Sequence, residues 1–147
     1  NLMWASSLAI NGLTGMGKSG AWSCHAMEHQ LSAYYDITHG AGLATLTPAW
    51  FEYVLNDDTV DKFKSYGVNV WGIDSSLDKY EIANKAIDKT KNFLFNDLKL
   101  PKTLKEYGID ETHLEIMAEK AANEGLKYAY KPLEKKDVLA IYMSCLG

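Results

Sequence analysis

The chain has 147 residues, a net charge of −4 and 23% charged residues, a composition typical of one globular domain. All 15 basic residues are lysines, so the planar guanidinium group that reads phosphate and guanine is missing and no nucleic-acid partner is expected. No apolar run approaches the roughly 20 residues that a membrane span requires, so we expect no membrane partner either.

The predicted elements are helical almost throughout, because apolar residues recur at helical spacing and strand-like alternation never extends beyond a few residues. About seven helices are predicted, and the fold expected for residues 1–147 is a single all-α, multi-helix bundle. The predicted helices cover residues 2–13, 21–35, a third from His39 that should kink or restart at Pro48, 58–71, one within 74–98, 111–124, and a last one after Pro132.

Side chains that can cap helix ends support several of these boundaries. Thr38 is a plausible N-cap for the third helix, and Ser75 or Ser76 for the fifth. The sixth helix should stop at Gly125. In the fifth helix the apolar residues that fall approximately on one face are Ile82, Ala86, Ile87, Phe93 and Leu94.

The two cysteines, Cys24 and Cys145, lie far apart in the sequence within apolar helical patterns. This arrangement favours buried free thiols in a reducing compartment over a disulfide framework. The first ten residues, "NLMWASSLAI", have neither the basic region nor the small-residue cleavage pattern of a signal peptide. We therefore expect a cytoplasmic protein.

The segment "HAMEHQLSAYYDITHGAG", residues 25–42, contains three of the chain's four histidines. On a helix His25 and His29 share one face. That stripe also contains Trp22, Ala26 and Ala33, and an opposite apolar stripe contains Cys24, Met27, Leu31 and Tyr34. Two opposed apolar stripes predict a largely buried helix. Only two narrow polar flanks remain between them, one formed by Ser23 and Gln30 and the other by Glu28 and Ser32. Buried imidazoles then need partners, because an unsatisfied polar group costs about 1–3 kcal/mol.

His39 can join the other two histidines if the chain reverses at residues 36–38. The helix from residue 25 to 35 advances about 15 Å, and four extended residues return at most about 14 Å. A divalent metal ion would be a suitable partner for converging imidazoles. Gly40 and Gly42 would remove bulk beside such a site. The order H-A-M-E-H differs from the HExxH zinc-protease motif, so Glu28 receives no role as a general base. Ordinary buried histidines that bond to backbone carbonyls, in a non-enzymatic helical binding module, remain an alternative.

A second alternative comes from "GLTGMGKS", residues 12–19, which satisfies the phosphate-loop pattern GxxxxGK[ST]. Lys18 and Ser19 would then contact a bound nucleotide. A phosphate loop follows a buried β-strand and opens a helix, whereas the residues before position 12 are predicted to be helical. The context therefore argues against nucleotide binding here.

The stretch "WSCHAMEHQLSAYYDITHGAG" closely resembles a signature of the iron-containing (group III) alcohol dehydrogenases. The similarity covers Trp22, His25, His29, the His39-Gly40 pair and Gly42 at the family's spacing. "MWASSLAINGL", "GLATLTPAW" and "VNVWGI" resemble the butanol dehydrogenase branch of that family. The resemblance implies the C-terminal helical domain of an enzyme that interconverts primary alcohols and aldehydes.

The same resemblance implies roles for the three histidines. It makes His25 and His39 ligands of a divalent metal ion, Fe²⁺ or Zn²⁺, and His29 a catalytic proton relay near the nicotinamide. In the family an upstream Asp and His complete the metal site, and a preceding α/β domain binds NADP or NAD. Neither feature is found in these 147 residues, so the chain is expected to be an inactive fragment by itself. An apolar face left uncovered would favour a homo-oligomer such as a dimer.

Overall fold

The computed structural model describes residues 1–17, 20 and 22–147, and these residues contain helices and turns but no β-strand. The α-helices of this described part are α1 (Leu2–Ile10), α2 (Ser23–Tyr35), α3 (His39–Val54), α4 (Val60–Trp71), α5 (Lys79–Lys91), α6 (Leu114–Asn123) and α7 (Lys135–Leu146). Short 3₁₀ turns lie at Leu13–Gly15, Lys105–Tyr107 and Leu126–Tyr128. The predicted all-α fold with about seven helices is confirmed.

The helix that carries His25 and His29, α2, packs against α3 and α6, while α3 also packs against α5 and α7. One hydrophobic core includes buried residues from α2 through α7. The hydroxyl of the fully buried Tyr142 in α7 donates a hydrogen bond to the carbonyl oxygen of Met27 at 2.7 Å. The last helix therefore fixes the position of α2 within the core.

Several predicted boundaries were wrong; α6, for example, begins at Leu114 rather than at residue 111. α1 ends at Ile10 rather than at residue 13, shortly before Gly12, whose φ of +87° lies in the left-handed region that favours glycine. α5 is capped by Asp78 instead of Ser75 or Ser76, because the Asp78 carboxylate accepts hydrogen bonds from two backbone N–H groups of the first turn.

Of the two predicted effects of Pro48, a kink or a restart of the third helix, the restart was wrong, because Pro48 lies inside an uninterrupted α3. The regular α-helix α5 ends at Lys91. The chain then continues as a π-helical turn over Asn92–Asp97. Phe93 therefore leaves the predicted apolar face and is exposed, while Ile82, Ala86 and Ile87 are buried as expected.

The first helix contributes no buried residue to the core. Its apolar side chains are strongly exposed, and Leu2 keeps 85% of its surface accessible. Among the described residues, no helix has both the length and the apolar character that crossing a bilayer demands. Cys24 and Cys145 are free thiols, as predicted; Cys145 is buried as expected, whereas Cys24 is only partly buried.

Candidate metal centre

A tight reversal between α2 and α3 positions the third histidine. The N–H of Asp36 donates to the carbonyl oxygen of Ser32 at 2.9 Å, and Asp36 adopts a left-handed φ of 53°, which aspartate tolerates better than most residues. After two further residues α3 begins at His39. The predicted turn at residues 36–38 is thus confirmed, and it directs the first residue of α3 back towards α2.

The three imidazole rings converge. Ring centroids are 5.2 Å apart for His25 and His39, 5.5 Å for His29 and His39, and 6.0 Å for His25 and His29. Trp22 packs edge-on against His25 with centroids 4.5 Å apart. Within the described part of the chain, none of these imidazoles hydrogen-bonds to a backbone carbonyl. The arrangement differs from the scattered, carbonyl-bonded histidines of the non-enzymatic alternative.

The predicted burial of this histidine stripe was wrong. On the α2 stripe His29 keeps 55% of its side-chain surface exposed and His25 is half-buried, although Ala26 is buried; His39, on α3, keeps 47% exposed. The buried face of α2 includes Met27 and Leu31, as expected, but also three residues of the predicted polar flanks, Ser23, Glu28 and Gln30. A helical pattern shows which residues share a face, whereas α3 and α6 decide which face is covered. The imidazoles therefore border open space.

An open groove of about 540 Å³ runs past His25 and His29. Trp22 lines it beside these histidines, and Glu124 and Tyr128 line the opposite side. A Glu124 carboxylate oxygen lies 3.8 Å from Nδ1 of His29, and its other oxygen accepts a hydrogen bond from the amide of the buried Gln30 at 2.7 Å. The groove gives a small molecule access to the imidazole cluster.

Sequence reasoning missed the part of Glu28 in this cluster. Its carboxylate is completely buried and accepts hydrogen bonds from the Ser32 hydroxyl, at 2.5 Å, and from Nδ1 of His39. A β-carbon at Gly42 would lie 2.8 Å from Cγ of Glu28, so the predicted need for glycine holds there. At Gly40 it does not, because a β-carbon would meet nothing within 4 Å among the described residues. Ser32, one helical turn after Glu28, is the signal that sequence reasoning could have used.

The protonation behaviour of nearby groups suits imidazole rather than thiolate ligands. Partial burial, together with the neighbouring rings of His39 and His29, lowers the pKa of His25 and so favours the neutral ring that binds metal. Burial raises the pKa of Cys24 to about 12, which keeps that thiol protonated. Glu28, His29 and His39 each offer a ligand atom, and these atoms lie within 4.8 Å of one another. His25 is not in this group of ligand atoms, although its ring lies 5.2 Å from that of His39. Imidazole nitrogens with a carboxylate beside them are donors that suit a divalent first-row metal ion.

The phosphate-loop alternative rests on two residues, Lys18 and Ser19, that lie outside the described residues. The residues before them form α1 and the 3₁₀ turn at Leu13–Gly15. A phosphate loop requires a β-strand at that place, and the described residues supply a helix there. The predicted helical context is confirmed.

Known proteins resemble this chain over nearly its whole length. The model of the iron-containing alcohol dehydrogenase family, C-terminal, matches residues 1–146. The chain is 58% identical over 144 residues to NADH-dependent butanol dehydrogenase A of Clostridium acetobutylicum, covering 97% of this chain and 37% of that relative. NADPH-dependent aldehyde reductase YqhD of Escherichia coli is 35% identical over 127 residues, covering 86% of this chain and 32% of that protein.

A solved structure shares the fold. The crystal structure of NADH-dependent butanol dehydrogenase A from Thermotoga maritima matches with a TM-score of 0.84 at 32% identity, over 98% of this chain and 38% of that one. The helical fold of this chain is thus shared with an alcohol dehydrogenase of known structure. This chain belongs to the iron-containing alcohol dehydrogenase family and matches its C-terminal domain. It spans less than two-fifths of the length of the relatives named above.

Proposed function

We propose that the chain is the metal-site domain of an NAD(P)-dependent dehydrogenase that interconverts primary alcohols and aldehydes. The observation that supports this most directly is the convergence of three imidazoles from α2 and α3 beside an open groove. In this proposal His25 and His39 hold a divalent iron or zinc ion. The apolar and aromatic lining that Trp22 and Tyr128 give the groove suits the alkyl part of a small alcohol.

A metal ion in such a site supplies Lewis-acid polarisation of the substrate oxygen. The residues of the chain then perform the remaining tasks. His25, whose lowered pKa favours the neutral ring, keeps a lone pair available for the ion. His29, with an exposed ring beside Glu124, passes a proton between the substrate oxygen and solvent as the catalytic residue of this domain. Trp22 shields one edge of His25 from water.

The dinucleotide, NADH or NADPH, is bound in this proposal by an α/β domain outside the 147 residues, as is the remainder of the metal site. The 147 residues then form a single all-helical domain. Two imidazole ligands hold a catalytic metal ion weakly, because catalytic zinc sites generally use three protein ligands. The isolated chain is therefore expected to bind metal weakly and to lack dehydrogenase activity.

A chimeric enzyme tests this proposal. The matching 144-residue segment of the Clostridium acetobutylicum butanol dehydrogenase is replaced by this chain, to which it is 58% identical. We expect the folded chimera to reduce butyraldehyde with NADH, while the isolated chain, supplied with Fe²⁺ or Zn²⁺, shows no turnover. The same chimera with His25→Ala should be inactive. A folded but inactive chimera, or turnover by the isolated chain, would contradict the proposal.

The exposed apolar surface of α1 supports a homo-oligomeric state, with a dimer as the simplest case. We expect the isolated chain to have a molar mass above 16.4 kDa in light scattering coupled to size-exclusion chromatography. Replacing Leu2 and Trp4 by serine should shift it towards the monomer without loss of helix content. A strictly monomeric wild-type chain at high concentration would contradict this expectation.

The free thiols Cys24 and Cys145 support a reducing compartment, and we assign the protein to the cytoplasm. Both groups resist ionisation, because burial raises the pKa of Cys24 to about 12 and that of Cys145 to about 11.

A further inference from the structure

Glu28 is the only fully buried carboxylate among the described residues. A buried charge is unfavourable unless it is paired and hydrogen-bonded, because the protein interior solvates ions much less well than water does. Glu28 meets this requirement through two partners, the Ser32 hydroxyl on its own helix and the His39 imidazole on the next one. The carboxylate therefore links α2 to the first residue of α3.

Packing alone does not explain a carboxylate at this position. An apolar side chain of similar volume would fill the space without the desolvation penalty, and such replacements are often neutral or stabilising. The neighbouring backbone also accommodates this particular side chain. A β-carbon at Gly42 would lie 2.9 Å from Oε1 of Glu28 and 2.9 Å from Cδ1 of Ile37, so α3 approaches closely only because residue 42 lacks one. These features point to a task beyond filling the core.

The contact determines which nitrogen of His39 is available. A carboxylate oxygen accepts hydrogen bonds, so Nδ1 of His39 carries the proton in this contact and Nε2 keeps its lone pair. Carboxylate partners of this kind fix the orientation and tautomer of metal-binding histidines and increase their basicity. The other carboxylate near the cluster, Glu124, is partly exposed and lies 3.8 Å from His29, beyond hydrogen-bonding distance.

We propose that Glu28 is a positioning residue that holds the His39 ring with Nε2 directed to the metal ion. This inference rests on the proposed function, because it needs His39 to be a ligand. It assigns Glu28 an indirect part, although one of its oxygens lies close enough to His29 and His39 to be considered as a ligand atom. Both carboxylate oxygens already accept a hydrogen bond, and the side chain is shut off from the groove by complete burial.

Metal titration of the 147-residue chain tests the inference, with Zn²⁺ and Co²⁺ as probes and a competing chromophoric chelator as the readout. We expect Glu28→Gln, which keeps the volume and removes the charge, to weaken binding by about 10- to 100-fold. Ser32→Ala, which frees one carboxylate oxygen, should weaken binding severalfold. The comparison variant Glu124→Gln removes a partly exposed charge beside His29 without touching His39, and it should weaken binding far less than Glu28→Gln does.

Histidine ¹⁵N NMR of the metal-free chain gives a second readout that needs no metal. We expect His39 to carry its proton on Nδ1 in the wild-type chain and to populate both tautomers in Glu28→Gln. Circular dichroism should show unchanged helix content in every variant. A structural role alone would lower stability while leaving the metal affinity and the tautomer unchanged, and that result would overturn the inference.

Two further outcomes separate the inference from the proposed function. If Glu28→Gln weakens binding as severely as His39→Ala, Glu28 is a ligand and the positioning role is wrong. If His39→Ala leaves metal binding intact, the proposed metal site itself fails. A loss in His39→Ala with no loss in Glu28→Gln overturns only the inference about Glu28.

Discussion

Leu31→Ala should lower the free energy of unfolding by about 3–4 kcal/mol. Leu31 has no exposed surface and lies in the main core on the face of α2 opposite the exposed imidazoles. The truncation removes buried apolar surface and leaves a cavity, and close packing around a fully buried leucine limits how far neighbours can collapse into it. Urea denaturation of the isolated chain, followed by far-ultraviolet circular dichroism, measures the change.

The chain offers a matched control for this substitution. Leu13→Ala deletes the same atoms from a side chain that is 58% exposed, so the free energy of unfolding should change by no more than about 0.5 kcal/mol. Equal effects of the two substitutions would mean that α2 does not pack on the core through Leu31. Because His25 and His29 share this helix, Leu31→Ala should also weaken metal binding by the chain.

His39→Ala should reduce the Zn²⁺ affinity of the chain more than Glu28→Gln does. Loss of a residue that positions a ligand costs about 10- to 100-fold in affinity, whereas His39→Ala removes a ligand itself. It also leaves the Glu28 carboxylate buried with only Ser32 as a partner. Leaving a buried carboxylate without one of its hydrogen-bond partners costs at least about 1–3 kcal/mol, because burying a charged group that is incompletely hydrogen-bonded is unfavourable.

The fourth histidine supplies the control. His113 is exposed and its ring lies 5.1 Å from that of Tyr34, apart from the imidazole cluster. His113→Ala should therefore leave the Zn²⁺ affinity unchanged. A comparable loss of affinity in both variants would indicate nonspecific binding to surface histidines. Combining His39→Ala with Glu28→Gln should restore much of the lost stability without restoring metal binding, because no unpaired charge then remains buried.

The sequence predicted the helices more reliably than it predicted which of their faces are buried. Repeated apolar spacing indicates a helix and needs no knowledge of its neighbours, so the helical fold followed from the sequence. The N-cap of α5 was assigned to the wrong residue because Ser75, Ser76 and Asp78 are all suitable capping residues. Residue type alone therefore does not choose between them, and the local geometry places the Asp78 carboxylate where it accepts two backbone N–H groups.

In the candidate metal centre, too, the sequence predicted local features better than the contacts between helices. The spacing of His25, His29 and His39 with a turn between them was enough to predict that the rings converge, since chain length restricts the geometry severely. The part of Glu28 was not predicted, because glutamate is almost never fully buried unless it is paired. Its burial depends on the approach of α3 at Gly42, a contact that helical periodicity does not report.

The hydrogen bond from Tyr142 to Met27 joins residues that are 115 positions apart. In contrast, all three clustered histidines fall between residues 25 and 39. During synthesis the α2–α3 hairpin leaves the ribosome long before α7. Because the three histidines are close in the sequence, closing the loop that brings their rings together costs little conformational entropy. The framework that holds them steady is completed only when the final helix docks. A nascent chain would thus bring the three histidines together early, and the cluster would become rigid only after α7 has packed.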